Sequence, residues 1–473
     1  MTATSTPQHR YLILLIAAAA QFIAVVDVAI VNVALPSIAS DLRLSESTLQ
    51  WVVIAYSLPF GSLLLLSGRF GDLVGKKPVL LVGLTVFTTA SLFAGLAESS
   101  AELIAFRALQ GVGAAMIAPS ALAVVAATFT EKKQRELALG IFGATGGAAA
   151  SVGVIAGGVI TDGPGWSWIF FVNLPIGVAL IAGAIVVLPR QLPQTREHRL
   201  DLRSALAVTA GIVALLYGLS RGASEGWSSP QVLGLFAVGA ALLGLFGWIE
   251  RRTSAPLVPA DALRNRPMLA ADGAGLFGFG SFFAFIFLTT LLMQQMLGYS
   301  PTKAGVAWLI TSVFAFFVAG AVGAVLAARF GIWRLILVAM VAMSASGLWL
   351  MQIPDNPHFG PNVVPAFLAA GLAIGIIGPG VQIAALAGVE QARFGLASGL
   401  VETMRELGGA VTSAVVATVA LNGVAAGTWH GFRAGYVVIA LTAGLGALLA
   451  AVVVLRPARS QAGAPEPVLV GTS

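Results

Sequence analysis

Long apolar runs separated by short polar gaps dominate this chain, and their spacing predicts a series of membrane-crossing helices. A helix needs about 20 apolar residues to cross the hydrocarbon core of a bilayer. Read gap to gap, the runs cover 11–35, 49–67, 78–97, 101–127, 137–160, 167–188 and 204–220, then 231–249, 268–293, 304–328, 332–351, 362–387, 396–421 and 432–455. Fourteen spans are therefore expected. The short run 204–220 has a second reading, as half of a re-entrant hairpin with 231–249. The first run, Tyr11 to Leu35, exceeds the apolar core of about 7–15 residues found in a removable leader, so it reads as a retained helix.

Composition agrees with lipid as the solvent. Of 473 residues, 58% are hydrophobic and 10% charged, against roughly 25% charged in an average soluble domain. The absence of cysteine excludes disulfides, zinc–thiolate sites and thiol catalysis together. His9, His198, His358 and His430 form no metal-ligand spacing. The net charge of +6 raises nucleic acid as a partner, but its distribution points to membrane orientation instead. With the N-terminus inside, 20 of the 26 Lys and Arg fall in predicted cytoplasmic segments. Arg43, Arg221, Lys303 and Arg433 fall outside, and Arg107 and Arg405 lie within spans. Both termini are expected to be cytoplasmic.

The pattern also repeats. Gly68 to Lys77, G-R-F-G-D-L-V-G-K-K, follows the second run, and Ala324 to Trp333, A-V-L-A-A-R-F-G-I-W, lies 256 residues later after the tenth. Gly75 and Gly331 coincide at that offset. A-L-G at 138–140 and A-S-G at 397–399 form a second echo at a similar offset. The expected organisation is a six-helix bundle over 1–189, two additional helices with their loops over 190–266, a second six-helix bundle over 267–458 and a cytoplasmic tail over 459–473.

Several stretches resemble the major facilitator superfamily, and within it the fourteen-helix drug:proton antiporter branch. Asp27 to Pro36, D-V-A-I-V-N-V-A-L-P, is similar to the branch signature ending the first helix. The loop after the second run matches the superfamily motif at Gly68, Asp72, Gly75, Lys76 and Lys77, with Leu73 where that pattern prefers Arg. Arg107 to Gly113, R-A-L-Q-G-V-G, resembles the motif opening the fourth helix, and Gly395 to Gly409 resembles the pattern leading into the penultimate helix. Two departures stand out. The antiporter motif of the fifth helix carries Gly-Pro, whereas Gly153 here is followed by Val154 before Gly157 and Gly158. Glu402 and Glu406 stand where relatives carry amides.

Ionisable groups inside spans are costly and are candidates for function. Asp27 lies about 12 Å inside the outer end of its run and Arg107 about 9 Å inside its own, from a rise of 1.5 Å per residue. The resemblance places both helices beside a central cavity, so a pair is expected. Its carboxylate could couple protonation to transport, or the pair could simply lock two helices. Glu402, Arg405 and Glu406 share one helical face at i, i+3, i+4 spacing. They read either as a self-neutralised patch between the two halves or as a second proton or cation site at Glu406. Asp272 follows Pro267 near a helix start, where acids are favoured anyway. Asp72 could cap a neighbouring helix N-terminus in one conformation and release it in another, the gating latch that the resemblance implies. Gly153, Gly157 and Gly158 predict close helix packing.

Other function classes lack their apparatus. The nearest phosphate-loop match, Gly71 to Lys77, has the wrong spacing and no Ser or Thr after its lysine. No H-E-x-x-H or G-x-S-x-G appears, so no enzyme and no cofactor are expected. The expectation is a monomeric multi-pass transporter in the cell membrane. Its partners would be the bilayer, a small-molecule substrate and protons, without nucleic acid. Proton-coupled export of amphipathic compounds comes first, with proton-symport uptake of a metabolite and a non-transporting receptor as alternatives.

Overall fold

A computed structural model describes residues 7–189, 201–253, 256–259, 262–355, 357–387, 389–425 and 429–455. Among these residues there are helices and turns and no strand. The helical columns in chain order are α1 (Pro7–Asp41), α2 (Glu46–Val74), α3 (Lys76–Gly95), α4 (Ser100–Thr128) and α5 (Lys132–Asp162). They continue with α6 (Trp168–Val187), α7 (Leu202–Glu225), α8 (Pro230–Glu250), α9 (Arg266–Met296) and α10, a broken column over 301–330. The last four are α11 (Ile332–Met351), α12 (Phe359–Leu386), α13 (Phe394–Ala425) and α14 (Trp429–Leu455). Among the described residues, twelve of these columns are long and apolar enough to cross a membrane. α5 and α13 are 31 and 32 residues long and pack among the others.

Local chemistry sets the helix ends. Ser45 and Ser99 accept from the N–H groups of Thr48 and Glu102, both at 3.3 Å, satisfying donors that the first turns of α2 and α4 leave over. Asn265 does the same for α9 through Met268 N–H at 3.2 Å. Gly75 and Gly331, matched in the repeat, have φ of 105° and 80°. Each is a one-residue joint between consecutive helices, in a conformation that a side chain would strain. The echo in the sequence is thus an echo in backbone geometry.

Packing follows the small residues. A Cβ placed on Gly153 would sit 2.9 Å from the Val26 carbonyl oxygen, and one on Gly157 3.0 Å from that of Ile30. The glycines therefore seat the α5 backbone directly on α1, the helix that carries Asp27. Gly158 is buried on the same helix. Nearer the start of α5, Gly143 abuts Pro379 of α12, so this helix touches both ends of the chain. One large apolar core joins α1–α4 to α7 and to the start of α13, and a second fills the space between α9 and α14. In the apolar window of α4, 78% of residues are buried, against 11% in α8. The first helix is central and the second peripheral.

Candidate functional site

The deepest polar cluster is built on α1 and α4. Asp27 and Arg107 are 0% and 1% exposed and form a direct ion pair through Oδ2. Asp27 Oδ1 accepts from Gln110 Nε2 and Asn173 Nδ2, both at 3.1 Å. The Arg107 Nε donates to the Val52 carbonyl at 3.2 Å, and one terminal nitrogen donates to Gln110 Oε1 at 3.0 Å. Ser91 closes the ring: its hydroxyl accepts from Gln110 and Asn173 at 3.1 and 3.0 Å and donates to the Phe170 carbonyl at 3.0 Å. The Tyr56 ring lies under the guanidinium at 4.5 Å, and its hydroxyl donates to the Ala24 carbonyl at 3.0 Å. Helices α1, α2, α3, α4 and α6 all contribute.

A buried ion pair stabilises a fold only when its remaining lone pairs and protons are satisfied. Here both carboxylate oxygens are occupied, so the pair is a preorganised clamp in this conformation. The expected Asp27–Arg107 pair is therefore present, and sequence reasoning missed its supporting shell. Gln110 was available one turn after Arg107, in R-A-L-Q-G-V-G, and Asn173 is a lone amide within an apolar run.

The α13 triad also forms. Arg405 pairs with Glu402 at 2.6 Å and with Glu406 at 3.1 Å. The Glu402 side chain is 1% exposed and that of Glu406 24%, so the acid nearer mid-helix is the more accessible. The guanidinium lies 5.8 Å from the Phe279 ring of α9. Across the gap the Glu406 stem faces Gly61 of α2, 3.7 Å from where a Cβ would be. Two acids thus share one guanidinium. The triad is distinct from the Asp27 cluster, but Tyr56 lies within electrostatic reach of both.

The loop residues meet at the start of α13. The two Asp72 oxygens accept from the Gly395 and Leu396 N–H groups at 2.9 and 2.8 Å, and Lys76 lies 3.5 Å away. Gly68 permits this closure: a Cβ there would fall 2.2 Å from the Gly395 carbonyl oxygen. The acid thus caps a helix from the opposite end of the chain, 323 residues away. Lys77 does different work, donating to the carbonyls of Ile185 and Leu188 at 2.7 and 2.6 Å at the end of α6.

Asp272 departs from its expected setting. The α9 helix starts at Arg266, so this acid is nearly two turns inside and beyond the helix-end effect. It is 5% exposed, and its Oδ1 has no hydrogen-bond partner among the described residues. The phenylalanines of α9 also divide. Phe285 is fully buried against Trp308, Phe367 and Tyr436 and belongs to the core.

Among the described residues the chain is an all-helical array with twelve columns long and apolar enough to cross a membrane, a buried ion pair and an interhelical cap, the architecture of a polytopic membrane protein. A family model described as Major Facilitator Superfamily matches residues 17–413. The chain is 36% identical over 426 residues to "Puromycin resistance protein pur8" of Streptomyces alboniger, covering 88% of this chain and 83% of that protein. It is also 36% identical over 415 residues to "Cephamycin export protein CmcT" of Amycolatopsis lactamdurans, covering 87% and 85%. Among solved structures, the human organic anion transporter MFSD10 superposes with a TM-score of 0.67 at 16% identity, covering 94% of this chain and 100% of that one. The chain belongs to the major facilitator superfamily. It is a multi-pass membrane transporter for small molecules, not an enzyme.

Proposed function

We propose that the chain exports amphipathic small molecules across the cell membrane by alternating access, in exchange for protons. The observation that carries this reading is the Asp72 cap on Gly395 and Leu396, an ionic closure between the two ends of the chain. Relatives named for puromycin resistance and cephamycin export support the outward direction. In this reading α1–α6 and α9–α14 are two bundles, and α7 and α8 are two further crossings between them. Both termini face the cytoplasm and the protein acts as a monomer. The Asp72 closure, with Gly68, Gly75, Lys76 and Lys77, seals the cytoplasmic side and releases as α13 moves away from α2.

Coupling resides at Asp27. While Arg107, Gln110 and Asn173 satisfy it, the carboxylate has no need of a proton. Separation of α1 from α4 removes its cation, and a proton from the open side neutralises the desolvated acid. Glu406, the accessible member of the α13 triad, faces the substrate path and favours cationic compounds, with Glu402 and Arg405 holding its charge. Gly153, Gly157 and Gly158 keep α5 against α1 so that the pair is not wetted from that side. A resistance screen of expressing cells against dyes and antibiotics, repeated with a protonophore, tests the whole. Protonophore-sensitive resistance is expected. Net uptake under an inward proton gradient would favour symport, and no movement in either direction would favour a receptor.

A further inference from the structure

Residues 256–259, between α8 and α9 at the predicted cytoplasmic face, are held at three points. Glu250, the last residue of α8, accepts through Oε1 from the Leu257 N–H at 3.1 Å and through Oε2 from the Val258 N–H at 2.9 Å. The Ser204 hydroxyl at the start of α7 donates to the same Oε1. Arg69, one turn before Asp72 on α2, reaches the Pro256 carbonyl at 3.5 Å. Leu257 and Val258 are 2% and 7% exposed and share an apolar core with α7 and with Phe394, Leu396 and Ala397 at the start of α13. Ala262 and Asn265 at the far end of the segment face Glu390, Arg393 and Leu396 across a cavity of about 180 Å³. Leu396 is also one of the two residues that Asp72 caps.

We propose that Glu250 is a positioning residue of the transport cycle: by gripping Leu257 and Val258 it turns the α8–α9 connection into a short strap across the cytoplasmic gate. This rests on the alternating-access reading above. The physical reason is length. From Glu250 to Asn265 there are 15 residues, which could extend at most to about 50 Å. Gripped at Val258, only 7 remain before α9 begins, and these reach about 24 Å. The grip thus halves the slack between the α7–α8 hairpin with α2 on one side and α9 on the other. Moving α13 and α9 away from α2 requires the carboxylate to let go. A carboxylate suits the task because it accepts three donors at once, whereas an amide offers one oxygen and would turn N–H groups toward N–H groups.

The test uses the full-length chain in inverted membrane vesicles, and the lack of native cysteine makes it clean. Ser398, buried at the gate with a hydroxyl that has no partner among the described residues, is replaced as S398C, and its labelling by an impermeant maleimide is timed. Asp72→Asn provides the reference for an opened gate. Glu250→Gln is expected to accelerate labelling roughly tenfold, consistent with losing a hydrogen bond to a charged acceptor. Ser204→Ala, a milder change, should accelerate it less, and serves if the first variant accumulates poorly. A control cysteine at Ser346, buried in α11, should remain protected throughout. Acceleration by Asp72→Asn with parental rates in Glu250→Gln and Ser204→Ala overturns the strap alone. Equal exposure of the Ser346 control would reduce Glu250 to general packing and also overturns it. No acceleration in any variant overturns the gate reading and the strap with it.

Discussion

Replacing Asp72 by Asn should shift the conformational balance of the transporter while leaving its substrate site intact. The carboxylate accepts from two backbone N–H groups with one oxygen each and has Lys76 3.5 Å away. Asn keeps one acceptor oxygen and presents an NH2 group where the second N–H points. The loss is one hydrogen bond to a charged acceptor, worth about 1.5–3 kcal/mol. Weaker attraction to the α13 N-terminus adds about 0.3–1 kcal/mol. Together these come to roughly 2–4 kcal/mol, against about 1.4 kcal/mol per tenfold change in an equilibrium constant. The ratio of closed to open cytoplasmic gate should therefore fall by at least about twentyfold. Spin labels on cysteines replacing Lys133 and Arg329, exposed residues at the predicted cytoplasmic ends of α5 and α10, would report the distance across the gate. A longer-distance population should grow in the variant, transport should slow, and affinity for substrate should persist. Lost binding with an unchanged distance distribution would refute the latch.

Three further outcomes follow from the same geometry. A cysteine at Ser228, exposed between α7 and α8, should react with an impermeant maleimide from outside the cell, and labelling only from the cytoplasm would reduce the crossings to twelve. Glu406→Gln should remove export of cationic compounds and spare neutral ones, measured as a resistance profile, whereas an unaltered profile would leave the triad a structural patch. Gly153→Val, whose Cβ would meet Ala29 at 2.7 Å, should destabilise α1 against α5 by about 1–3 kcal/mol in thermal unfolding. An unchanged melting temperature would mean that α5 can move aside freely.

The helical columns were legible because lipid demands long apolar runs and the gaps between them carry charge. Each predicted run corresponds to a helical column, although the ends differ. The run 11–35 became Pro7–Asp41, and 204–220 became Leu202–Glu225, because amphipathic turns continue a helix beyond its apolar stretch. The charge pairs were legible too, since ions in a span stand out against an apolar background: Asp27 with Arg107, and the i, i+3, i+4 triad on α13. Gln110, Asn173 and Ser91 were not, because neutral polar residues are common in such helices and their convergence is a tertiary fact. Glu250 was hidden for a different reason. At a helix end it looks like an ordinary interfacial acid, and only folding brings Leu257 and Val258 onto it.

Whether Asp27 carries the coupling proton is decided by Asp27→Asn in reconstituted vesicles with an imposed pH gradient. The isosteric amide keeps much of the hydrogen-bonded cluster but cannot bind and release a proton. One elementary charge crossing 100 mV is worth about 2.3 kcal/mol before any pH gradient is counted, so the driving force is adequate and its loss should be evident. A folded variant is expected that still binds neutral substrates and moves them only down their own gradient. Full concentrative, protonophore-sensitive transport by the variant would contradict it and pass the coupling role to Glu402 or Glu406.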